Sequence, residues 1–142
     1  MIDVRNIVTQ PPRRTGGATG RTRVRLFLLG EGLSFAAASL VHAGVLLSGH
    51  EHPQAKVAEG LIALVLLGGL ALSWLRPAVT LPVGLAVQGF ALLGTLVGLI
   101  TIASGGGPRS PLDLGFHVGV VLVLGCGLAL NWRASEAVVR SA

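Results

Sequence analysis

The sequence predicts an all-α fold, a polytopic membrane four-helix bundle with both termini in the cytoplasm. Only 12% of the 142 residues are charged and 51% are hydrophobic, with a mean hydropathy of +0.75, whereas a soluble domain usually carries about 25% charged residues. The chain also contains four apolar runs, each close to the roughly 20 residues needed to cross about 30 Å of hydrocarbon. None of these runs shows the period-two alternation of a membrane β-barrel.

The predicted transmembrane domain covers residues 24–132. Its four spans lie at about 26–47, 57–75, 78–103 and 112–130. The first span is interpreted as a retained helix rather than a cleaved signal peptide, because its apolar run continues well past the Ala36-x-Ala38 pattern. The turn at Arg76-Pro77 is so short that the second and third helices must be adjacent and antiparallel.

The segment before the first span is predicted to be a disordered, basic cytoplasmic tail over residues 1–23, because it lacks apolar periodicity. Six arginines precede the first apolar run: Arg5, Arg13, Arg14, Arg21, Arg23 and Arg25. Such arginines are typical of a topology signal and of contact with anionic lipid. A mitochondrial presequence is a second interpretation of this Arg-rich, acid-poor stretch. Nucleic-acid binding is disfavoured, because no stacking aromatics are interleaved with the arginines.

The distribution of lysine and arginine predicts the orientation. With the N-terminus inside, the inside segments hold nine basic residues, namely the six tail arginines with Arg76, Arg133 and Arg140, and the outside loops hold two, Lys56 and Arg109. The excess of basic residues on one side predicts cytoplasmic termini in the cell inner membrane, with residues 133–142 as a short cytoplasmic tail. Trp74 and Trp132 then fall at the inner ends of their spans, where indole rings anchor helices.

Five potential ligands are predicted to share one layer near the outer surface of the bundle. His42, Glu59 and His117 lie within three different spans, and His50 and His52 lie in the first outer loop. In a simple ring of helices, His42 would face Glu59 on one side and His117 on the other. Imidazole suits Cu, Zn and Fe, and a carboxylate can complete the shell. Two histidines on different helices can also ligate haem b axially. We therefore expect a metal-binding or haem site in this layer.

A second interpretation assigns the same side chains to helix packing. His42 would bond Glu59, and His117 would bond Thr101 or a backbone carbonyl, at about 0.6 kcal/mol for each pair. The two loop histidines would then simply be solvated. Function is favoured for the three residues within the spans, because polar groups are costly to bury in hydrocarbon.

Glu31 and Gln88 are predicted to lie at a similar depth, nearer the inner surface. Glu31 and His42 are eleven residues apart, which at about 100° per residue places them within about 20° of one helix face. The functional interpretation is a proton relay that includes Glu31 and Gln88, in which Glu31 accepts a proton and His42 continues the path outward. The alternative is that Glu31 snorkels to the interface or pairs with Arg76.

The sequence also resembles a group of small, uncharacterised bacterial membrane proteins with four spans. The resemblance is carried by the string from Gln88 to Thr95, by Gly107-Pro108-Arg109, and by the segment from Asp113 to His117, and it covers residues 26–130. It implies a four-span fold and a membrane location and brings no activity with it. The sequence shows no G-x-S-x-G, Walker A or C-x-x-C motif, so whether the protein is an enzyme stays open.

The sequence is therefore compatible with three functions. The first is redox chemistry or metal handling at the His/Glu site. The second is a structural or accessory subunit, or a homo-oligomer, docking through glycine-rich helix faces such as Gly94/Gly98 and Gly115/Gly119. Gly94 and Gly119 are also expected to lie at close helix contacts inside the bundle, where a leucine would destabilise it. The third is a proton-coupled carrier of a small solute that uses Glu31 and His42. The lipid bilayer is an expected partner in all three.

The predicted orientation can be tested with reporter fusions. A reporter placed after Ala142 should be active in the cytoplasm, and one inserted within residues 104–110 should be active outside, because nine basic residues oppose two. Paired phosphatase and fluorescent-protein activities measure both positions. An external C-terminus would contradict the topology.

Overall fold

The computed structural model describes residues 16–107 and 110–140, and this part of the chain is helical with no strand. The helices are α1 (Gly16–His42), α2 (Pro53–Leu75), α3 (Thr80–Ala103) and α4 (Pro111–Val139), with a 3₁₀ turn at Pro77–Val79 before α3. Each of the four helices is long and apolar enough to cross a membrane. The predicted all-helical architecture with four long apolar helices is confirmed.

The helix ends differ from the predicted spans. Helix α1 begins at Gly16, inside the stretch predicted to be a tail, and ends at His42 rather than near residue 47. It stops there because Gly44 adopts a left-handed conformation, with φ of 74°, and its N–H bonds to the Val41 carbonyl at 2.9 Å. Helix α4 continues to Val139, into the predicted C-terminal tail. Residues 1–15 and 141–142 lie outside the described residues.

The four helices form an antiparallel ring. Helix α1 contacts α2 and α4, and α3 contacts the same two helices from the other side. Near the start of α1, Arg25 meets Ser73 near the end of α2, whereas His42 at the end of α1 meets Glu59 near the start of α2. We call the end of the bundle where α1 stops the His42 end, and the opposite end the Trp74 end.

The core is a short apolar layer, and the outside is apolar as well. The core cluster contains Val24, Leu28, Phe35, Ile62, Ala63, Leu66, Ala91 and Leu124. On the outside, Leu64, Leu93 and Leu122 are each more than 65% exposed. A helix bundle that is apolar on both its inner and outer faces is matched to lipid rather than to water.

Glycines on α3 allow the neighbouring helices to approach closely. A Cβ atom on Gly84 would lie 2.6 Å from Val24 Cγ1, and one on Gly94 would lie 2.9 Å from Ile62 Cδ1. By contrast, a Cβ on Gly115 or Gly119 would meet nothing within 4 Å. The expectation that Gly119 lies at a helix contact inside the bundle is therefore wrong. Gly119 follows the buried His117 by two residues, which turns it to the opposite side of α4.

Two leucine substitutions should distinguish a glycine packed between helices from a glycine that faces open space. Gly84→Leu should lower the free energy of unfolding by about 1–3 kcal/mol or prevent folding, because the added side chain overpacks the contact among α1, α3 and α4. Gly119→Leu is the matched control, and its thermal unfolding in detergent should equal that of the wild type. Equal losses in both variants would show that Gly119 also lies in a packed contact.

Candidate functional site

The imidazole of His42 lies between two carboxylates from two other helices. Its Nδ1 is 2.7 Å from Glu59 Oε2 on α2, and its Nε2 is 3.0 Å from Asp113 Oδ1 on α4. All three residues are at most 4% exposed. A neutral imidazole carries a single N–H, so it can donate to only one carboxylate. The geometry therefore suits an imidazolium between two carboxylates, and we call these three residues the triad.

The connection from α1 to α2 brings Glu59 to His42. The N–H of His52 donates to the carbonyl of His42 at 3.0 Å, which returns the chain to the end of α1. His52 Nδ1 then accepts from the N–H of Ala55 at 3.2 Å and caps α2, and Pro53 follows at the first helical position. Glu59 lies in the second turn of the helix that begins here.

A capping box at the start of α4 orients Asp113. The N–H of Asp113 donates to Ser110 Oγ, and the N–H of Ser110 donates to Asp113 Oδ2, both at 3.1 Å. This leaves Asp113 Oδ1 to face His42. Sequence reasoning placed Asp113 at the edge of the fourth span and missed it as a partner of His42. The Ser-x-x-Asp spacing was the available signal, because it fixes where α4 starts.

His117 lies in the same layer without touching His42. Its Nδ1 donates to the backbone carbonyl of Asp113 at 2.7 Å, the kind of bond anticipated by the packing interpretation. A Cβ atom on Gly98 would lie 3.1 Å from His117 Nε2, so the missing side chain at this glycine makes room for the ring. Asp113 thus takes the place beside His42 that was predicted for His117.

A cavity of about 270 Å³ adjoins the triad between α2, α3 and α4. Its polar lining includes Glu59, His117, His52, Thr95 and Thr101, and the remaining wall is mostly apolar. Within the described residues, the buried Glu59 Oε1 atom has no hydrogen-bond partner. A buried carboxylate oxygen without a donor is costly. Glu59 can therefore accept a proton or an N–H or O–H donor from an occupant of the cavity.

The two loop histidines differ in their positions. The His52 ring lies 6.3 Å from the His42 ring, measured between centroids, and it borders the cavity. No hydrogen bond or ring contact within the described residues joins His50 to the triad. Between these histidines, backbone N–H groups of Glu51 itself and of Gly49 hold the pKa of the Glu51 carboxyl below its usual value. That carboxylate braces the loop.

The structure does not bring the predicted metal or haem ligands together around one point within the described residues. In the part of the chain that the structure describes, no three His, Cys, Asp or Glu side chains are grouped as a metal site. Both ring nitrogens of His42 face carboxylates, so an ion or haem iron could bind His42 only by displacing one of them. The metal or haem site stays a prediction, and the observed contacts favour proton binding instead.

A second buried polar cluster lies nearer the Trp74 end. Gln88 Nε2 donates to both carboxylate oxygens of Glu31, at 3.0 and 3.1 Å. Gln88 Oε1 accepts from Asn131 Nδ2 at 3.4 Å. Glu31 is 3% exposed, so it neither snorkels nor pairs with the exposed Arg76. We call Glu31, Gln88 and Asn131 the amide cluster.

Asn131 was not anticipated from the sequence. It lies fourteen residues after His117, which at about 100° per residue places both within about 40° of one face of α4. That spacing was the signal for a second polar level on this helix.

Comparisons with protein-family models, with curated proteins and with solved structures each find no match to this chain. The triad, its cavity and the amide cluster are the features of this chain that indicate a function.

Removing the central imidazole should destabilise the bundle. His42→Ala should lower the free energy of unfolding by about 3–5 kcal/mol, because two buried carboxylates lose their shared partner. His50→Ala removes an imidazole from the neighbouring loop and should change the free energy of unfolding by less than about 0.5 kcal/mol. Denaturant unfolding in detergent micelles measures both. An unchanged His42→Ala protein would mean that the triad does not form.

Proposed function

We propose that this chain is a proton-coupled carrier of a small solute in the cell inner membrane, with the triad as its proton-binding site. The observation that carries the proposal is the placement of His42 between two buried carboxylates, beside a cavity that Glu59 also lines. A proton and a solute can therefore meet at one side chain, Glu59.

The charge of the triad supports proton binding. With His42 protonated and both carboxylates ionised, the net charge is −1, which is unfavourable in the apolar interior of a membrane protein. One additional proton makes the triad neutral. Glu59 Oε1 is the atom available to receive it, because Glu59 Oε2 and Asp113 Oδ1 already bond His42 and Asp113 Oδ2 bonds Ser110.

The amide cluster supplies a second proton-accepting group on the far side of an apolar layer. Glu31 and His42 are eleven residues apart on α1, which at 1.5 Å per residue is roughly 16 Å along the helix. Phe35, Leu66 and Leu124, all at most 1% exposed, lie between the two polar levels. This apolar layer separates the triad from Glu31, so a proton would pass between them only when the bundle rearranges. Coupling of proton movement to solute movement requires such a barrier.

The orientation follows the distribution of basic residues in the sequence. We propose that the His42 end faces the outside and that both termini are cytoplasmic. The triad and its cavity would then load from the outside, and Glu31 would exchange protons toward the cytoplasm.

A homo-oligomer or accessory subunit is the second candidate. Gly115 and Gly119 have open space beside them and, with Ser34, line a groove of about 300 Å³ between α1 and α4. Such small residues let another helix approach closely. A dimer formed along this groove would also give a carrier a wider solute path than one bundle provides.

Proton movement can be tested in vesicles that contain a pH-sensitive dye. Under an imposed pH gradient, with potassium and valinomycin present to hold the voltage, wild-type vesicles should acidify faster than empty ones. Acidification is measured alone and with small amines, amino acids, sugars or carboxylates added. Glu59→Gln and Glu31→Gln should each abolish the protein-dependent rate. Glu136→Gln, which removes the carboxylate of a surface ion pair with Arg140, is the control and should retain it.

The same purified protein distinguishes the rival functions. Wild-type rates equal to those of empty vesicles in every arm would contradict the carrier. A Soret band or a stoichiometric transition metal that is lost in His42→Ala would instead support the predicted metal or haem site. If neither proton movement nor a cofactor is found, the accessory-subunit function is favoured.

A further inference from the structure

A separate cleft of about 490 Å³ opens at the Trp74 end between α1 and α4. It is lined on α1 by Thr19, Gly20, Arg23, Val24 and Phe27, and on α4 by Gly127, Leu130, Asn131, Arg133 and Ala134. No acidic residue is among them. The α1 residues recur at intervals of three to four, so one face of that helix forms one wall.

Two arginines at this cleft have side chains without a partner among the residues that the structure describes. Within residues 16–107 and 110–140, the guanidinium groups of Arg23 and Arg133 form no hydrogen bond or ion pair. Two other arginines at the same end of the bundle, Arg25 and Arg140, do have side-chain partners. Arg25 donates to Ser73 and lies over the Trp74 ring, with its Cζ 4.2 Å from the ring centroid, and Arg140 pairs with Glu136 at 3.4 Å. Two guanidinium groups from two helices are thus left to bind an anion at one cleft.

The floor of the cleft reaches the buried polar interior. Asn131 is 1% exposed, and within the described residues its Oδ1 atom has no hydrogen-bond partner. Gly127 also lines the cleft, and a Cβ on it would lie 2.8 Å from Glu31 Oε1, so the cleft meets the amide cluster at Asn131 and lies close to Glu31. An occupant with a hydroxyl or ammonium group could donate to Asn131 while its anionic group bonds the arginines.

We infer that this cleft binds the headgroup of an anionic phospholipid, with its phosphate between Arg23 and Arg133. Arginine binds phosphate oxygens through paired N–H donors. The site lies at the end of two membrane-crossing helices, and Val24, Phe27 and Leu130 provide an apolar wall for the acyl-chain end of the lipid. Trp132, adjacent to Arg133, is 60% exposed and suits the headgroup region. A free phosphate ion would bind the arginines but would make no contact with the apolar wall. We therefore assign a lipid.

Native mass spectrometry of the full chain can test the inference. The protein is released from micelles that contain equal amounts of phosphatidylglycerol and phosphatidylcholine, and the retained lipid is counted. We expect the wild type to retain phosphatidylglycerol selectively. Arg23→Gln and Arg133→Gln should each reduce that retention about fivefold, from the contribution of one basic residue at a membrane surface. The double variant should show no selectivity.

Two further variants provide the controls. Arg140→Gln removes the same charge from the same end of α4 but outside the cleft, and should retain phosphatidylglycerol like the wild type. Ala134→Leu keeps both arginines and fills the cleft, so it should lose the lipid. Thermal unfolding verifies that each variant is folded.

Three results would overturn the inference. One is equal retention of the two lipids by the wild type, and another is undiminished selectivity in the double variant. The third is stabilisation of the lipid-free protein by inorganic phosphate to the same extent as by phosphatidylglycerol, which would define an anion site without a lipid. None of these results bears on proton movement through the triad, so this inference and the carrier can fail independently.

Discussion

The bonding of His42 to Glu59 and Asp113 is the interaction on which the arrangement of the bundle depends. Charged groups in an apolar interior are costly unless each finds a partner, and here one imidazole bonds one oxygen of each of two carboxylates. Because the three residues belong to α1, α2 and α4, the same contact ties three helices together at one end. The capping box at Ser110 and the cap at His52 then set where α4 and α2 begin. Helix starts and buried charges are therefore parts of one network.

The interior of the bundle contains two polar levels separated by an apolar layer. The triad occupies one level, the amide cluster occupies the other, and Phe35, Leu66 and Leu124 separate them. Each level borders its own cavity, through Glu59 at the His42 end and through Asn131 at the Trp74 end. Buried polar groups in lipid are most readily explained by a function that uses them. A carrier needs such a division, because a continuous polar path would leak protons.

The sequence was most informative about the spans and least informative about the helix ends. Hydropathy identified all four long apolar helices, since a helix that crosses a membrane must present apolar side chains over about 30 Å. It placed the start of α1 too late, because arginines such as Arg21 and Arg23 end an apolar run without ending a helix. It placed the end of α1 too late, because the stop at His42 depends on the left-handed turn at Gly44. Gly119 was misjudged because spacing identifies small residues but not the side of the helix that faces a neighbour.

The sequence by itself determined which of the predicted polar residues share a level along the bundle, because a helix rises by a constant 1.5 Å per residue. Depth alone placed His42, Glu59 and His117 in one layer and Glu31 with Gln88 in another. Only the tertiary structure decided which of these side chains meet. Asp113 rather than His117 faces His42, and Asn131 joins Gln88, because contact depends on the rotation of each helix about its own axis. Packing between helices sets that rotation, and the hydropathy of a single sequence contains almost no information about this packing.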